Sequence, residues 1–146
     1  MSLDTNVLVY STDTSDAVRH PAAKSLIRRA ARADAVLMLQ SLAEFAHVTV
    51  RKLKMPVADV KAVIDQLREL FPVHAADPNG LDMALEMVRR EKLAFWDAML
   101  WAAARQAGCE IMLSEDLQDG RKLGGVTVIN PFRPENQAIV DQVLAA

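Results

Sequence analysis

The chain is poor in cysteine, glycine and aromatic residues. Its one cysteine, Cys109, makes no intrachain disulfide and cannot build a cysteine-based zinc site, so its thiol content does not ask for an oxidising compartment. Five glycines and six prolines leave no Gly/Ser- or Pro-rich linker, and no internal repeat or low-complexity tract is present. Apolar runs are broken by Asp, Arg or Gln well short of the roughly 20 residues a membrane span needs. The N-terminus, Met1-Ser2-Leu3-Asp4, has neither the basic segment nor the apolar stretch of a signal peptide. Together these absences set the expectation of a soluble, cytoplasmic protein. Excess positive charge is missing too: the net charge is −2 and the pI about 5.9. A protein that gripped nucleic acid by bulk charge would be basic. Any nucleic-acid chemistry here has to run through local basic clusters and metal ions.

What is present is an ordinary globular balance, 51% hydrophobic and 25% charged over 146 residues. That suits one domain, residues 1–146, with one substantial core. Short apolar runs alternate with helical patterns. Leu3 ends a very short first strand, and Val7-Leu8-Val9-Tyr10 turns into a helix. Helices are expected from His20-Pro21 to about Asp34, from Ser41 to about Lys54, from about Val57 to Leu70, from Pro78 to about Lys92 and from Phe95 to Ala107. Gly108 supplies the stop for the last of these. Ala35–Leu39, Glu110–Leu113 and Val126–Ile129 read as buried strands, Phe71–Val73 as a short extended piece, and Pro134 to Ala146 as a final helix. Such alternation favours a parallel sheet with helices on both faces, whose ligands collect beyond the C-terminal strand ends.

Four acids stand at informative places. Asp4-Thr5-Asn6 follows the first strand, where a turn or helix cap also explains it. Glu44 closes Ser41-Leu42-Ala43-Glu44, which fits a capping box with Ser41 as N-cap. Asp116 leaves the Ile111–Ser114 strand in an acid-rich loop with Glu115 and Asp119. Asp97 lies on an apolar helix stripe with Leu93, Ala94, Leu100 and Trp101. A salt bridge to an arginine, an N-cap position or a bound cation would each account for it there. In a parallel sheet the three strand-end acids converge on one edge, and Asp97 reaches it from the start of its helix. Four carboxylates so close repel one another without a cation, and Mg²⁺ or Mn²⁺ suits an all-oxygen donor set. One or two such ions can activate water against a phosphodiester.

These segments, in this order, resemble a known family. Asp4-Thr5-Asn6, Ser41-Leu42-Ala43-Glu44-Phe45, Phe95-Trp96-Asp97-Ala98-Met99-Leu100-Trp101 and Leu113-Ser114-Glu115-Asp116-Leu117-Gln118-Asp119-Gly120 look like a PIN domain, most of all like the VapC-type toxins of bacterial type II toxin–antitoxin modules. The resemblance covers nearly the whole chain, to Val128-Ile129-Asn130-Pro131-Phe132. It implies a three-layer α/β/α fold around a central parallel sheet. It also implies an Mg²⁺- or Mn²⁺-dependent endoribonuclease, often a homodimer, held inactive by a VapB-type antitoxin. By position Asp4, Glu44, Asp97 and Asp116 would form the acidic, metal-binding quartet. Asn6 would support Asp4, Ser114 would orient the last acid, and Asp119 would be an additional or water-mediated metal contact. One departure stands out: family members usually carry several apolar residues before the first Asp, and here only Leu3 does so.

Basic residues occur in small clusters that read mostly as solvated helix faces. Arg121 and Lys122 follow the acid loop and Arg51 lies two turns beyond Glu44, so these three are the candidate RNA-phosphate contacts. Trp96 and Trp101 read as core or dimer contacts rather than base-stacking platforms. Two other functions compete. A catalytically silent PIN-like binding module would share the fold. A receiver-like signalling domain would share the Mg²⁺-binding acids but needs a Lys near the end of a late strand, where this chain has Asn130-Pro131.

Overall fold

A computed structural model describes residues 1–145. The first strand is a stub, β1 (Ser2–Leu3), and the chain turns directly into α1 (Thr5–Tyr10). Then come α2 (Arg19–Ala30), β2 (Leu37–Met38), α3 (Leu39–Arg51), α4 (Val57–Leu70), β3 (Val73–His74), α5 (Pro78–Glu91) and α6 (Phe95–Gln106). The C-terminal part adds β4 (Ile111–Leu113), β5 (Lys122–Leu123), β6 (Val126–Ile129), a 3₁₀ turn (Pro134–Asn136) and α7 (Gln137–Val143). The sequence-expected helix from Pro134 is thus split, and its last residue, Ala146, lies outside the described residues. Among the described residues no helix is long and apolar enough to cross a membrane.

β1, β4 and β6 run parallel in the order β1-β4-β6, and β5 closes that edge antiparallel. On the other side β2 pairs with β3 in parallel, and a single parallel bridge between Ser2 and Val36 brings this pair alongside β1. Consecutive strand residues point to opposite faces. Leu37 and Leu113 enter one apolar core, with α1 to α4 and α7, while Met38 and Met112 enter another, with α5 and α6. The sheet is therefore covered on both faces, as the strand–helix alternation predicts.

The stub of β1 is held from both sides. Asp4 N–H donates to Leu113 O at 2.9 Å, and Val36 N–H donates to Met1 O at 2.9 Å. Leu3 itself is fully buried. Leu3→Ala should therefore lower unfolding stability by about 3 kcal/mol, the range for a leucine deleted from a packed core. Urea unfolding measures this, with the exposed Leu85→Ala as a control expected to change little.

The second sheet edge differs from the sequence expectation. The Ala35–Leu39 run contributes only two strand residues before α3 starts at Leu39, two positions ahead of Ser41. The N-cap is Met38, with no side-chain cap bond, and Ser41 is buried inside the first turn. The capping box expected from Ser41 and Glu44 does not form, which leaves Glu44 available for other work.

Candidate active site

Asp4 leaves β1 as the N-cap of α1, in extended conformation. Its Oδ1 accepts from Thr5 N–H at 2.6 Å. The β1–β4 register sets Leu3 opposite Leu113, so Ser114 follows beside Asp4 and its Oγ donates to Asp4 Oδ2 at 2.6 Å. Asn6 Nδ2 adds a longer bond of 3.4 Å to the same oxygen. Ser114 Oγ also accepts from the amides of Asp116 at 3.2 Å and Leu117 at 3.4 Å, which folds the strand exit into a tight turn. One hydroxyl thus orients both the first acid and the loop that carries the last.

Glu44 sits in the second turn of α3 and reaches toward α1. Its Oε2 accepts from Thr5 Oγ1 at 2.9 Å and its Oε1 from Gln40 Nε2 at 2.9 Å. Gln40 also donates to Trp96 O at 2.9 Å, tying Glu44 to the start of α6. Sequence reasoning missed Thr5 and Gln40. The four-residue spacing of Gln40 and Glu44 on one helix face is the signal that identifies the second of these.

Asp97 occupies the first turn of α6, half-buried. Both of its structural explanations are absent. The N-cap is Ala94, and among the described residues no basic side chain pairs with Asp97. Burial raises its pKa, and the negative charges of Asp116 and Glu44 raise it further. Asp4 is pushed up to about 6, chiefly by burial, with Asp116 and Glu44 adding to the rise and the bonds from Ser114 and Thr5 opposing it. Asp4 and Asp97 thus each feel the charges of Asp116 and Glu44. Asp116 is the most open of them and lines a cleft of about 250 Å³ with Thr5, Asn6, Tyr10, Glu44 and Val48. A larger cavity of about 620 Å³, lined by Gln40, Glu44, His47 and Trp96, shares Glu44 and Val48 with it.

The donor set is all carboxylate oxygen, with repulsion among the acids and no neutralising base beside Asp97. That chemistry fits a hard divalent cation. Among the described residues no group of three or more His, Cys, Asp or Glu side chains is drawn together tightly enough to enclose an ion unaided.

The remaining expected residues fall elsewhere. Asp119 is a structural latch: its Oδ1 accepts from Asn130 N–H at 2.7 Å and Asn136 Nδ2 at 2.8 Å, and its Oδ2 pairs with Arg133 at 3.2 Å. The Asn130 amide above all holds its carboxyl below the usual range. These bonds secure the end of β6, which is the role the fold itself gives Asp119. Arg121 is also engaged within the fold. Its Nη2 donates to Glu91 O at 2.7 Å and pairs with Glu91 Oε2 at 3.5 Å, capping the end of α5. Lys122 on β5 and Arg51 at the end of α3 are exposed or nearly so, and neither lines the cleft. Trp101 is core, its indole N–H donating to Leu123 O at 2.8 Å, whereas Trp96 is 64% exposed.

The PIN domain family model matches residues 1–119, a span that contains all four acids. No curated protein matches the chain. Among solved structures, the fold is similar to the crystal structure of Mycobacterium tuberculosis VapC20, a Sarcin-Ricin loop cleaving toxin. The TM-score is 0.65 at 22% sequence identity, over 79% of this chain and 90% of that chain.

Proposed function

The chain belongs to the PIN domain family, and on that premise we propose that it is a divalent-metal-dependent endoribonuclease, the toxin of a toxin–antitoxin pair. The observation that carries this reading is Asp97, a half-buried carboxylate without a basic partner, raised in pKa by Asp116 and Glu44. A purely structural acid at that place would have a cap or an arginine. Asp4, Glu44, Asp97 and Asp116 are the residues that would hold Mg²⁺ or Mn²⁺. When bound, such an ion supplies a nucleophile from water at neutral pH and offsets charge on the phosphodiester.

The chain's own groups do the positioning. Ser114 and Thr5 N–H fix both oxygens of Asp4, Thr5 Oγ1 and Gln40 fix both oxygens of Glu44, and the Ser114 turn presents Asp116. Thr5 Oγ1 already donates its proton to the Glu44 carboxylate, so it is held as an orienting group rather than as a nucleophile. Attack by water leaves a linear phosphate on one RNA end, whereas attack by a neighbouring 2′-hydroxyl leaves a cyclic one. VapC20 is a Sarcin-Ricin loop cleaving toxin, and the similarity to it supports RNA as the substrate class; the VapB-type antitoxin and the homodimer rest on the resemblance of the four acidic segments to VapC-type toxins.

The test is incubation of purified protein with total RNA and mapping of the new ends. Cleavage should require Mg²⁺ or Mn²⁺, stop with EDTA, return on adding excess metal, and give linear phosphates. Cleavage that persists in EDTA, or that leaves cyclic phosphates, would overturn the mechanism.

A further inference from the structure

The loop that carries Asp116 also carries Glu115, a fifth carboxylate one residue from the acids. It does not stand free. Arg19, at the start of α2, donates from Nε to Glu115 Oε2 at 2.9 Å and from Nη2 to Oε1 at 3.2 Å, a two-pronged pair. Tyr10 Oη donates to Glu115 Oε1 at 3.2 Å. The guanidinium carbon lies 5.3 Å from the Tyr10 ring centre and 6.0 Å from that of Phe132, and the two rings meet edge to face at 5.3 Å. Asp16 steadies Arg19 from its own helix start, accepting from the Arg19 backbone N–H at 2.8 Å and from Nη1 at 3.3 Å. The Glu115 amide is in turn bonded to Asn6 Oδ1 at 3.3 Å. An ordinary surface ion pair joins two mobile side chains and contributes little. This one is bidentate, lies over the Tyr10 ring with Phe132 alongside, and links segments that are 96 residues apart.

We propose that Arg19 is a positioning residue for the acidic site: it draws the Glu115 carboxylate out of the pocket, so that Asp116 alone of the two faces it. The inference rests on the reading of the four acids as the RNA-cleaving site. Without Arg19, Glu115 is an unneutralised negative charge at the mouth of an already repulsive cluster, held only by the Tyr10 hydroxyl. It then repels Asp116 and the RNA phosphate, and the loop loses its tether to α2. The harm therefore comes from Glu115, and neutralising Glu115 should undo it. No role for Arg19 as a mere surface residue, or as a direct phosphate contact, gives that rescue.

The experiment compares wild type, Arg19→Ala, Glu115→Gln and the double variant as full chains. Arg19→Gln replaces Arg19→Ala if the latter lacks a cooperative melt. Two readouts are taken: single-turnover RNA cleavage, and amide hydrogen exchange at Glu115, Asp116 and Leu117. Arg19→Ala should lower the cleavage rate about 10- to 100-fold, the usual effect of losing a residue that orients a metal-ligating group. KM for RNA should change less than about threefold, and exchange of the three amides should quicken about tenfold. Adding Glu115→Gln to Arg19→Ala should bring both readouts back to within about threefold of wild type, a large coupling between the two sites. A raised KM with no rescue would make Arg19 a phosphate contact and overturn the proposal. Unchanged amide exchange in Arg19→Ala would overturn it as well. If wild type shows no EDTA-sensitive cleavage, the nuclease reading fails, and the exchange arm alone still decides whether Arg19 and Glu115 hold the loop.

Discussion

Asp97→Asn is expected to reduce RNA cleavage about a thousandfold, equivalent to about 4 kcal/mol of transition-state stabilisation, while leaving the protein folded. The substitution keeps the side-chain shape and removes one negative charge. Nothing in the fold depends on that charge, because Asp97 neither caps α6 nor pairs with a basic residue among the described residues. The metal-free variant should be at least as stable as wild type, since burial and the charges of Asp116 and Glu44 all disfavour the ionised form. A residue that served only structure would show the reverse pattern: lost stability and retained activity. Cleavage rates with near-UV circular dichroism and a thermal melt separate the two.

The second large effect is an inverted pH dependence of stability. Asp4 in the folded protein is raised to about 6, whereas an unfolded Asp titrates near 3.8. Between those pH values the folded chain holds a proton that the unfolded chain has released. Stability at this site is therefore full below about pH 4 and falls as pH rises through about 6. The loss amounts to roughly 3 kcal/mol in the metal-free protein, at 1.36 kcal/mol per pKa unit. Acids such as Asp119, whose pKa is lowered, act in the opposite sense, so the effect has to be read by difference. Asp4→Asn in EDTA should be more stable than wild type at pH 7.5, with the gap closing only below about pH 4. Mn²⁺ at pH 7.5 should stabilise wild type and not the variant, because an ion that binds only the folded state adds to its stability. Urea unfolding at the two pH values, with and without Mn²⁺, measures all of this. A wild type more stable than Asp4→Asn in EDTA at pH 7.5 would show that the buried carboxylate is compensated by something other than a cation.

The helices bounded by proline or glycine were the most legible features. Val57–Leu70 after Pro56, Pro78–Glu91, and Phe95–Gln106 before Gly108 lie within a residue of their expected ends. The strands were less so, because β1, β2, β3 and β5 have two residues each and a two-residue strand carries no period. β5 escaped notice entirely. It forms because Gly124 and Gly125, at φ of 50° and 87°, turn the chain back onto β6. At the site, the spacing of the acids along the chain pointed to one sheet edge, and the β1–β4 register brings Asp4 and Ser114 side by side there.

Local pattern misled at Ser41, where tertiary packing overrides what adjacent residues suggest. Ser41 has the spacing of a cap, but α3 begins at Leu39 and buries it. Asp119 has the sequence neighbourhood of a metal contact, and its Oδ1 also accepts from Asn130 and Asn136 beyond β6, which no local pattern shows. The Arg19–Glu115 pair joins residues too far apart in the chain for any local rule to connect them.

The central claim is that Asp4, Glu44, Asp97 and Asp116 together hold a divalent cation, and Mn²⁺ binding tests it without reference to any substrate. Electron paramagnetic resonance reads the free Mn²⁺ signal as protein is titrated in at neutral pH. Wild type should deplete that signal saturably, and the Asp97→Asn/Asp116→Asn double variant, still folded, should not. No depletion by wild type, or equal depletion by both proteins, would contradict the account.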